Sequence, residues 1–267
     1  MNAALRVGVL GATGRVGTLL LREIISKESL SLGAAITRSG SKHIGSDIGT
    51  HLGTGTLGLC FQPLAPNCFD HCDVVIDFSM PQGLEKALPF LGNTPLVSGT
   101  TGLADTTEAA LQIYAHTAPL LTAANFSTGV NVLLALVAQA AKALDDYEIE
   151  IVETHHRYKK DAPSGTALVL GKVAAEARGH TLESVVCHGR EGTSNTRKAE
   201  TIGIHAVRMG QVVGEHTVSI ANDTEILTLS HSAQQRSTFV DGALRAAQWL
   251  VNQSPGRYTM ADMLGLS

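Results

Sequence analysis

Three glycines at three-residue intervals, Gly11, Gly14 and Gly17, stand between a short apolar run and a stretch of helical periodicity. The run, Leu5 to Leu10, has the length of a buried strand, and the stretch carries apolar residues at Val16, Leu19, Leu20 and Ile24, one face of a helix. A second apolar run, Leu30 to Ile36, follows, so the first 37 residues form a complete strand, turn, helix and strand unit. Glycine at such a turn lets the backbone leave the strand sharply and come close to a bound pyrophosphate, at which the N–H groups of the helix start are aimed. Gly11, Ala12, Thr13, Gly14, Arg15, Val16 and Gly17 are therefore the candidate dinucleotide turn. The Gly-Lys-Ser/Thr of a P-loop does not follow it.

Strand runs recur at Val74–Asp77, Leu96–Ser98 and Leu120–Thr122, with helical patterns around Gly83–Leu91 and Thr107–His116 between them. This alternation predicts an α/β domain of Rossmann type, a doubly wound parallel sheet whose ligands sit at the carboxyl ends of the strands. The loops there add Phe78, Ser79, Gly99, Thr100, Thr101, Ala123, Asn125 and Phe126 to the cofactor candidates. At the end of the second strand an NAD site usually carries Asp or Glu, which binds the adenosine ribose. Here Thr37 stands in that place, followed by Arg38 and Ser39 with Lys42 close by, donors suited to a 2′-phosphate. NADPH is the expected cofactor, with NADH as the alternative.

Past residue 127 the character changes. A nearly all-apolar helix over Val130–Leu144 leads to Tyr147–Glu153, whose alternation marks a half-exposed strand. Runs at Ile202–Arg208, Gln211–Ile220 and Glu225–His231, joined by Met209-Gly210 and by Ala221 to Thr224, read as an antiparallel meander, and a helix returns over Thr238–Leu250. The expectation is a second, α+β domain over 127–235, with 236–267 rejoining the domain of residues 1–126.

Composition limits the partners. With 267 residues, 44% hydrophobic, 16% charged and 27 glycines, the chain is compact and rich in turns, and its formal charge of −4 offers no basic field for nucleic acid. The four cysteines form no CxxC pair, and His71 and Cys72 with Cys68 lack a second pair of ligands, so no metal is expected. The apolar Val130–Leu144 stretch is interrupted by Asn131, Gln139 and Lys142 and is too short for a bilayer, and the N-terminus lacks a signal-peptide pattern. A cytoplasmic protein without membrane association is expected.

Chemistry concentrates in the segment Glu153 to Ala167, ETHHRYKKDAPSGTA, where two imidazoles and several cations gather in an acidic chain. Adjacent histidines at a strand end point to opposite faces, so His155 and His156 have different tasks. Pro163-Ser164-Gly165-Thr166 then opens a helical run through Arg178, placing small hydroxylic residues and bare N–H groups where a carboxylate or phosphate binds. A histidine that titrates near neutrality beside a lysine supplies a proton donor and a charge clamp for that anion.

This segment, with Val7-Gly8-Val9-Leu10-Gly11, Asp77-Phe78-Ser79, Gly99-Thr100-Thr101-Gly102, Ala124-Asn125-Phe126-Ser127 and Val213-Gly214-Glu215-His216-Thr217, resembles the dihydrodipicolinate reductase (4-hydroxy-tetrahydrodipicolinate reductase) family along essentially the whole chain. The resemblance implies a Rossmann domain and a substrate domain whose mixed sheet also builds a homotetramer. It implies a small cyclic dicarboxylate as substrate, in diaminopimelate and lysine biosynthesis. The 4-hydroxyl leaves as water, hydride from the nicotinamide reaches ring C4, and a protein acid protonates the neighbouring carbon. His155 matches the family's general acid and Lys159 its partner. His156, Lys159, Ser164, Gly165 and Thr166 match the groups that hold the substrate carboxylate, and Gly99 and Thr101 the nicotinamide-side loop. Thr37 departs from the many relatives that carry an acid there, which weighs against a preference for NADH.

Two other readings share these features. A short-chain dehydrogenase needs Tyr-x-x-x-Lys, and none of Tyr114, Tyr147, Tyr158 and Tyr258 has lysine four residues on. A non-catalytic NADPH-sensing regulator would use the same first domain and leave His155 and Lys159 idle. His205, His216, His231 and Arg236 fall in or near second-domain strands, where a structural role suffices.

Overall fold

The computed structural model describes residues 3–193 and 196–266. Met1, Asn2 and Ser267, at the ends of the stretches expected for the first domain, lie outside the described residues. The elements in chain order are β1 (Leu5–Leu10), α1 (Arg15–Ser26), β2 (Leu30–Thr37), α2 (Ile48–Leu52), β3 (Gln62–Pro63), β4 (Val74–Asp77), α3 (Pro81–Ala87), β5 (Leu96–Ser98), α4 (Asp105–Tyr114), β6 (Pro119–Thr122), α5 (Thr128–Ala143) and β7 (Glu148–His155). They continue as α6 (Gly165–Ala177), α7 (Leu182–Val185), β8 (Val186–His188), β9 (Ile202–Arg208), β10 (Gly214–Ala221), β11 (Ile226–Ala233), α8 (Ser237–Leu250), β12 (Gly256–Tyr258) and α9 (Met260–Leu264). The chain divides into two compact units, one running through Phe126 and resuming over Phe239–Gly265, the other Ser127–Thr238.

The first unit holds one parallel sheet in the order β12-β6-β5-β4-β1-β2-β3. Its central strands, such as β4 and β5, are covered on both faces, which is why they read as continuous apolar runs. Val7 and Val9 face a core of Leu20, Leu21 and Ile24 from α1 and Val240, Leu244 and Leu250 from α8. Leu10, Val75 and Leu96 face Leu84 and Ala87 of α3 and Leu111 and Tyr114 of α4. The sequence order reverses across β1, between β2 and β4, and the glycine turn leaves β1 there.

The second unit is built on a mixed sheet in the order β11-β10-β7-β9-β8. β10 and β11 form the expected hairpin, but β9 does not continue that meander: it lies on the far side of β7 and runs parallel to it. Met209 and Gly210 therefore pass the end of β7, where the Met209 N–H donates to the His155 carbonyl at 2.9 Å and the Arg157 N–H to the Gly210 carbonyl at 3.3 Å. Local turn chemistry does not reveal a strand lying between two others. β7, with Ile149 and Ile151 fully buried, takes a partner on each edge. Ile149, Ile151, Ile204 and Val218 pack on Leu133 and Val137 of α5 and Ala167 and Leu170 of α6. Among the described residues no helix is long and apolar enough to cross a membrane, and no group of three or more His, Cys, Asp or Glu is placed to hold a metal ion.

Candidate active site

In the first unit a cavity of about 470 Å³ opens beside the glycine turn, lined by Gly11, Thr13, Gly14, Thr37, Arg38, Phe78 and Ser79 with Lys86. α1 starts there at Gly14 with no side-chain cap and no acidic residue in its first turn. Its leading N–H groups and the positive end of its dipole are thus offered to an anion. Gly11 is left-handed at φ +82°, and a Cβ on it would stand 2.7 Å from the Phe78 carbonyl oxygen; one on Gly17 would stand 2.2 Å from the carbonyl oxygen of Gly11. A turn this tight, bare of side chains and open to the cavity, fits a dinucleotide pyrophosphate.

The other candidates divide. The Ala12 side chain is buried and its N–H is taken by the Ile36 carbonyl at 3.0 Å, and Arg15, Val16 and Gly17 stand off the cavity lining. Thr37 is 3% exposed and its hydroxyl pairs with that of Thr13 at 2.8 Å, so the strand end carries no negative charge, while Arg38 and Ser39 are exposed at the rim. Thr100, Thr101 and Ala123 line a second cavity of about 280 Å³ with Glu108 and Arg257. Gly99, Asn125 and Phe126 line neither cavity; Phe126 is buried edge-on against Phe78, and a Cβ on Gly99 would stand 2.4 Å from the Phe78 ring. The fully buried Asp77 pins two of these loops, accepting from the Ser79 N–H at 2.9 Å, the Ser98 hydroxyl at 2.8 Å and the Thr100 hydroxyl at 2.7 Å.

In the second unit Glu153, His155, Arg208 and His216 meet by strand register: Glu153 lies opposite His216 across β7 and β10, and His155 opposite Arg208 across β7 and β9. Glu153 is fully buried. Its Oε1 accepts from the Ser164 N–H at 3.0 Å and from Arg208 Nη2 at 2.7 Å, and its Oε2 from Arg208 Nη1 at 2.8 Å, with His155 Nδ1 at 2.5 Å. Burial pushes this carboxyl up, but Arg208, His155 and the Ser164 N–H outweigh burial and hold it below the ordinary carboxylate range. Burial, together with the charges of Lys159 and Arg208, lowers the pKa of His155 even though Glu153 raises it. The His155 and His216 rings stand edge to face at 5.3 Å, and burial, with the charge of His155 next, pushes His216 down to about 4.

Ser164 is the N-cap of α6, its hydroxyl accepting from the Ala167 N–H at 3.2 Å and touching His216 Nε2 at 3.1 Å. Gly165 and Thr166 follow as the first two helical residues, and a Cβ on Gly165 would meet nothing within 4 Å. Lys159 pairs with Asp161 at 2.8 Å, and His156 Nε2 lies 3.3 Å from Arg236. His155 and His156 do part, one to the buried Glu153 and the other to Arg236. The meeting of Glu153, Arg208 and His216 around His155 escaped the sequence reading: Glu153 stands in the motif and His216 in the Gly214-Glu215-His216 run, but their meeting depends on register.

A parallel dinucleotide-type sheet, a glycine turn open to a cavity and a buried carboxylate–histidine pair beside a helix start are features that suit a nicotinamide-dependent oxidoreductase. Comparison with known proteins gives the family. The one described as dihydrodipicolinate reductase matches by its N-terminus over residues 5–126 and by its C-terminus over 129–264. Proteins named 4-hydroxy-tetrahydrodipicolinate reductase from Halorhodospira halophila and Parvibaculum lavamentivorans are 43% and 46% identical, over 98% and 100% of this chain and the full length of each relative. The dipicolinate-bound dihydrodipicolinate reductase of Paenisporosarcina sp. TG-14 superposes with a TM-score of 0.75 at 21% identity, covering 97% of this chain and 98% of that one, and shares the fold. The chain belongs to the dihydrodipicolinate reductase family. Membership decides for an enzyme and against the NADPH-sensing regulator.

Proposed function

We propose that the chain reduces 4-hydroxy-tetrahydrodipicolinate to tetrahydrodipicolinate with loss of water, in the route to diaminopimelate and lysine, with NADPH preferred over NADH. The observation that carries this reading is the Glu153–His155 pair beside the start of α6, a proton donor next to an anion cradle. The unit ending at Phe126 would hold the dinucleotide at the glycine turn, with Thr37 leaving the strand end uncharged and Arg38 and Lys86 lining the cavity. When bound, the reduced nicotinamide supplies the hydride.

The chain's own residues do the rest in the second unit, read as the substrate domain of 127–235. His156, Lys159 and the start of α6 at Ser164, Gly165 and Thr166 hold the substrate carboxylates. His155 gives the balancing proton to the carbon beside the one reduced. In the free site burial disfavours the charged imidazole; two arriving carboxylates favour it, so the acid is charged once substrate is in place. On the family resemblance, a homotetramer and a cytoplasmic location are part of this reading.

The test follows loss of reduced-nicotinamide absorbance, with NADPH and NADH in parallel, on substrate generated in place from pyruvate and aspartate semialdehyde. Oxidation with a higher rate for NADPH is expected, and His155→Gln should cut turnover by about a hundredfold while cofactor binding holds. No oxidation with either cofactor in folded protein overturns the reading.

A further inference from the structure

We propose that Glu153, clamped by Arg208, is a positioning residue for proton delivery: it keeps one proton on His155 Nδ1 and so leaves Nε2 as the nitrogen that acts on the substrate. The inference rests on the reading of His155 as the acid. Glu153 precedes His155 by two residues on β7, which puts both side chains on the face that also carries the buried Ile149 and Ile151. A carboxylate there is costly unless its oxygens are satisfied, and Arg208 and the Ser164 N–H already supply three hydrogen bonds. The two-pronged grip of Arg208 fixes the carboxylate plane, and with it the direction of Oε2, which meets His155 Nδ1 at 2.5 Å.

An ionised carboxylate only accepts, so Nδ1 carries the hydrogen and the reacting nitrogen is Nε2. Gly214 keeps room on that side, since a Cβ there would stand 3.0 Å from Nε2. In the transfer the Nε2–H bond of the imidazolium breaks, a C–H bond forms on the substrate, and the ring ends neutral with its remaining proton on Nδ1 against Glu153. The groups facing His155 are Glu153 on β7, Arg208 on β9, His216 on β10 and Lys159 from the segment after β7. Glu153 is the only anion among these four, so its loss leaves the imidazolium among cations and a second imidazole.

The experiment compares wild type, Glu153→Gln, Glu153→Asp and His155→Gln in full kinetics. For Glu153→Gln, kcat should fall about 10- to 100-fold, with KM for substrate and the NADPH dissociation constant moving less than about threefold. The alkaline limb of the kcat/KM pH profile that His155→Gln abolishes should move to lower pH. Glu153→Asp, which keeps the charge, should hold that limb near its wild-type position. Wild-type kcat and profile in a folded Glu153→Gln, with His155→Gln impaired, overturn this proposal and leave the reductase reading standing. Full activity of His155→Gln overturns both. If Glu153→Gln does not fold, nitrogen-15 NMR of wild-type histidine decides: the Nδ1–H form of neutral His155 supports the proposal and the Nε2–H form overturns it.

Discussion

Replacing His216 by a side chain that cannot titrate should flatten the acid dependence of stability. His216 is 4% exposed, its Nε2 touches the Ser164 hydroxyl at 3.1 Å, and its Nδ1 has no partner among the described residues. Burial, with the charge of His155 next, takes its pKa from an ordinary 6.5 down to about 4. Because the native value lies below the unfolded one, the unfolded chain takes up the proton first. The contribution is therefore complete above about pH 6.5 and drains as the pH falls toward about 4. A gap of about 2.5 units corresponds to about 3 kcal/mol in full, of which about 2 kcal/mol is gone by about pH 5. Gln at position 216 reaches toward Ser164 but carries no titrating proton. Urea unfolding of wild type and His216→Gln at about pH 7.5 and about pH 5 should show the wild type losing about 2 kcal/mol more than the variant. His155 and His231 titrate in both proteins, so the difference reports His216 together with its coupling to these two rings. Equal losses would refute a neutral, buried imidazole at this place.

Three further outcomes are expected. Gly17→Ala forces a Cβ to 2.2 Å from the Gly11 carbonyl oxygen, so the turn and α1 must separate, and thermal unfolding should report a loss of about 1–3 kcal/mol with weakened NADPH binding. Gly214→Ala crowds His155 Nε2 to 3.0 Å, and steady-state kinetics should show kcat lowered about tenfold while fluorescence titration finds NADPH affinity unchanged. Thr37→Asp places a carboxylate at the end of β2, and the NADPH-to-NADH ratio of kcat/KM should fall by about tenfold or more, the equivalent of about 1.4 kcal/mol; an unaltered ratio would show that this position does not read the ribose.

Periodicity located the elements wherever a single core dictates them. β1, β4 and β5 begin and end where their apolar runs do, because each is covered on both faces. The short α2, β3, β12 and α9 have too few residues to show a period, and β12 joins the edge of the sheet by pairing with β6, a contact no local pattern announces. In β7 hydropathy and position disagree: Val152 is 40% exposed while Glu153 is fully buried, since strand phase rather than polarity sets the face and Arg208 makes the burial tolerable. Of the candidate site, the glycine turn and the His155 to Thr166 segment were legible because each is contiguous. Arg208 and His216 were not, because they reach Glu153 and His155 only through the placement of β9 and β10 on opposite edges of β7.

The single carboxylate of Asp77 ties the ends of β4 and β5 together through Ser79, Ser98 and Thr100. Loops 21 to 23 residues apart in the chain thereby become one mechanical part, since neither can swing away without stripping donors from a buried carboxylate. Ordering one of them by a ligand steadies the other, so the cavity lined by Ser79 and the cavity lined by Thr100 are linked through one buried side chain.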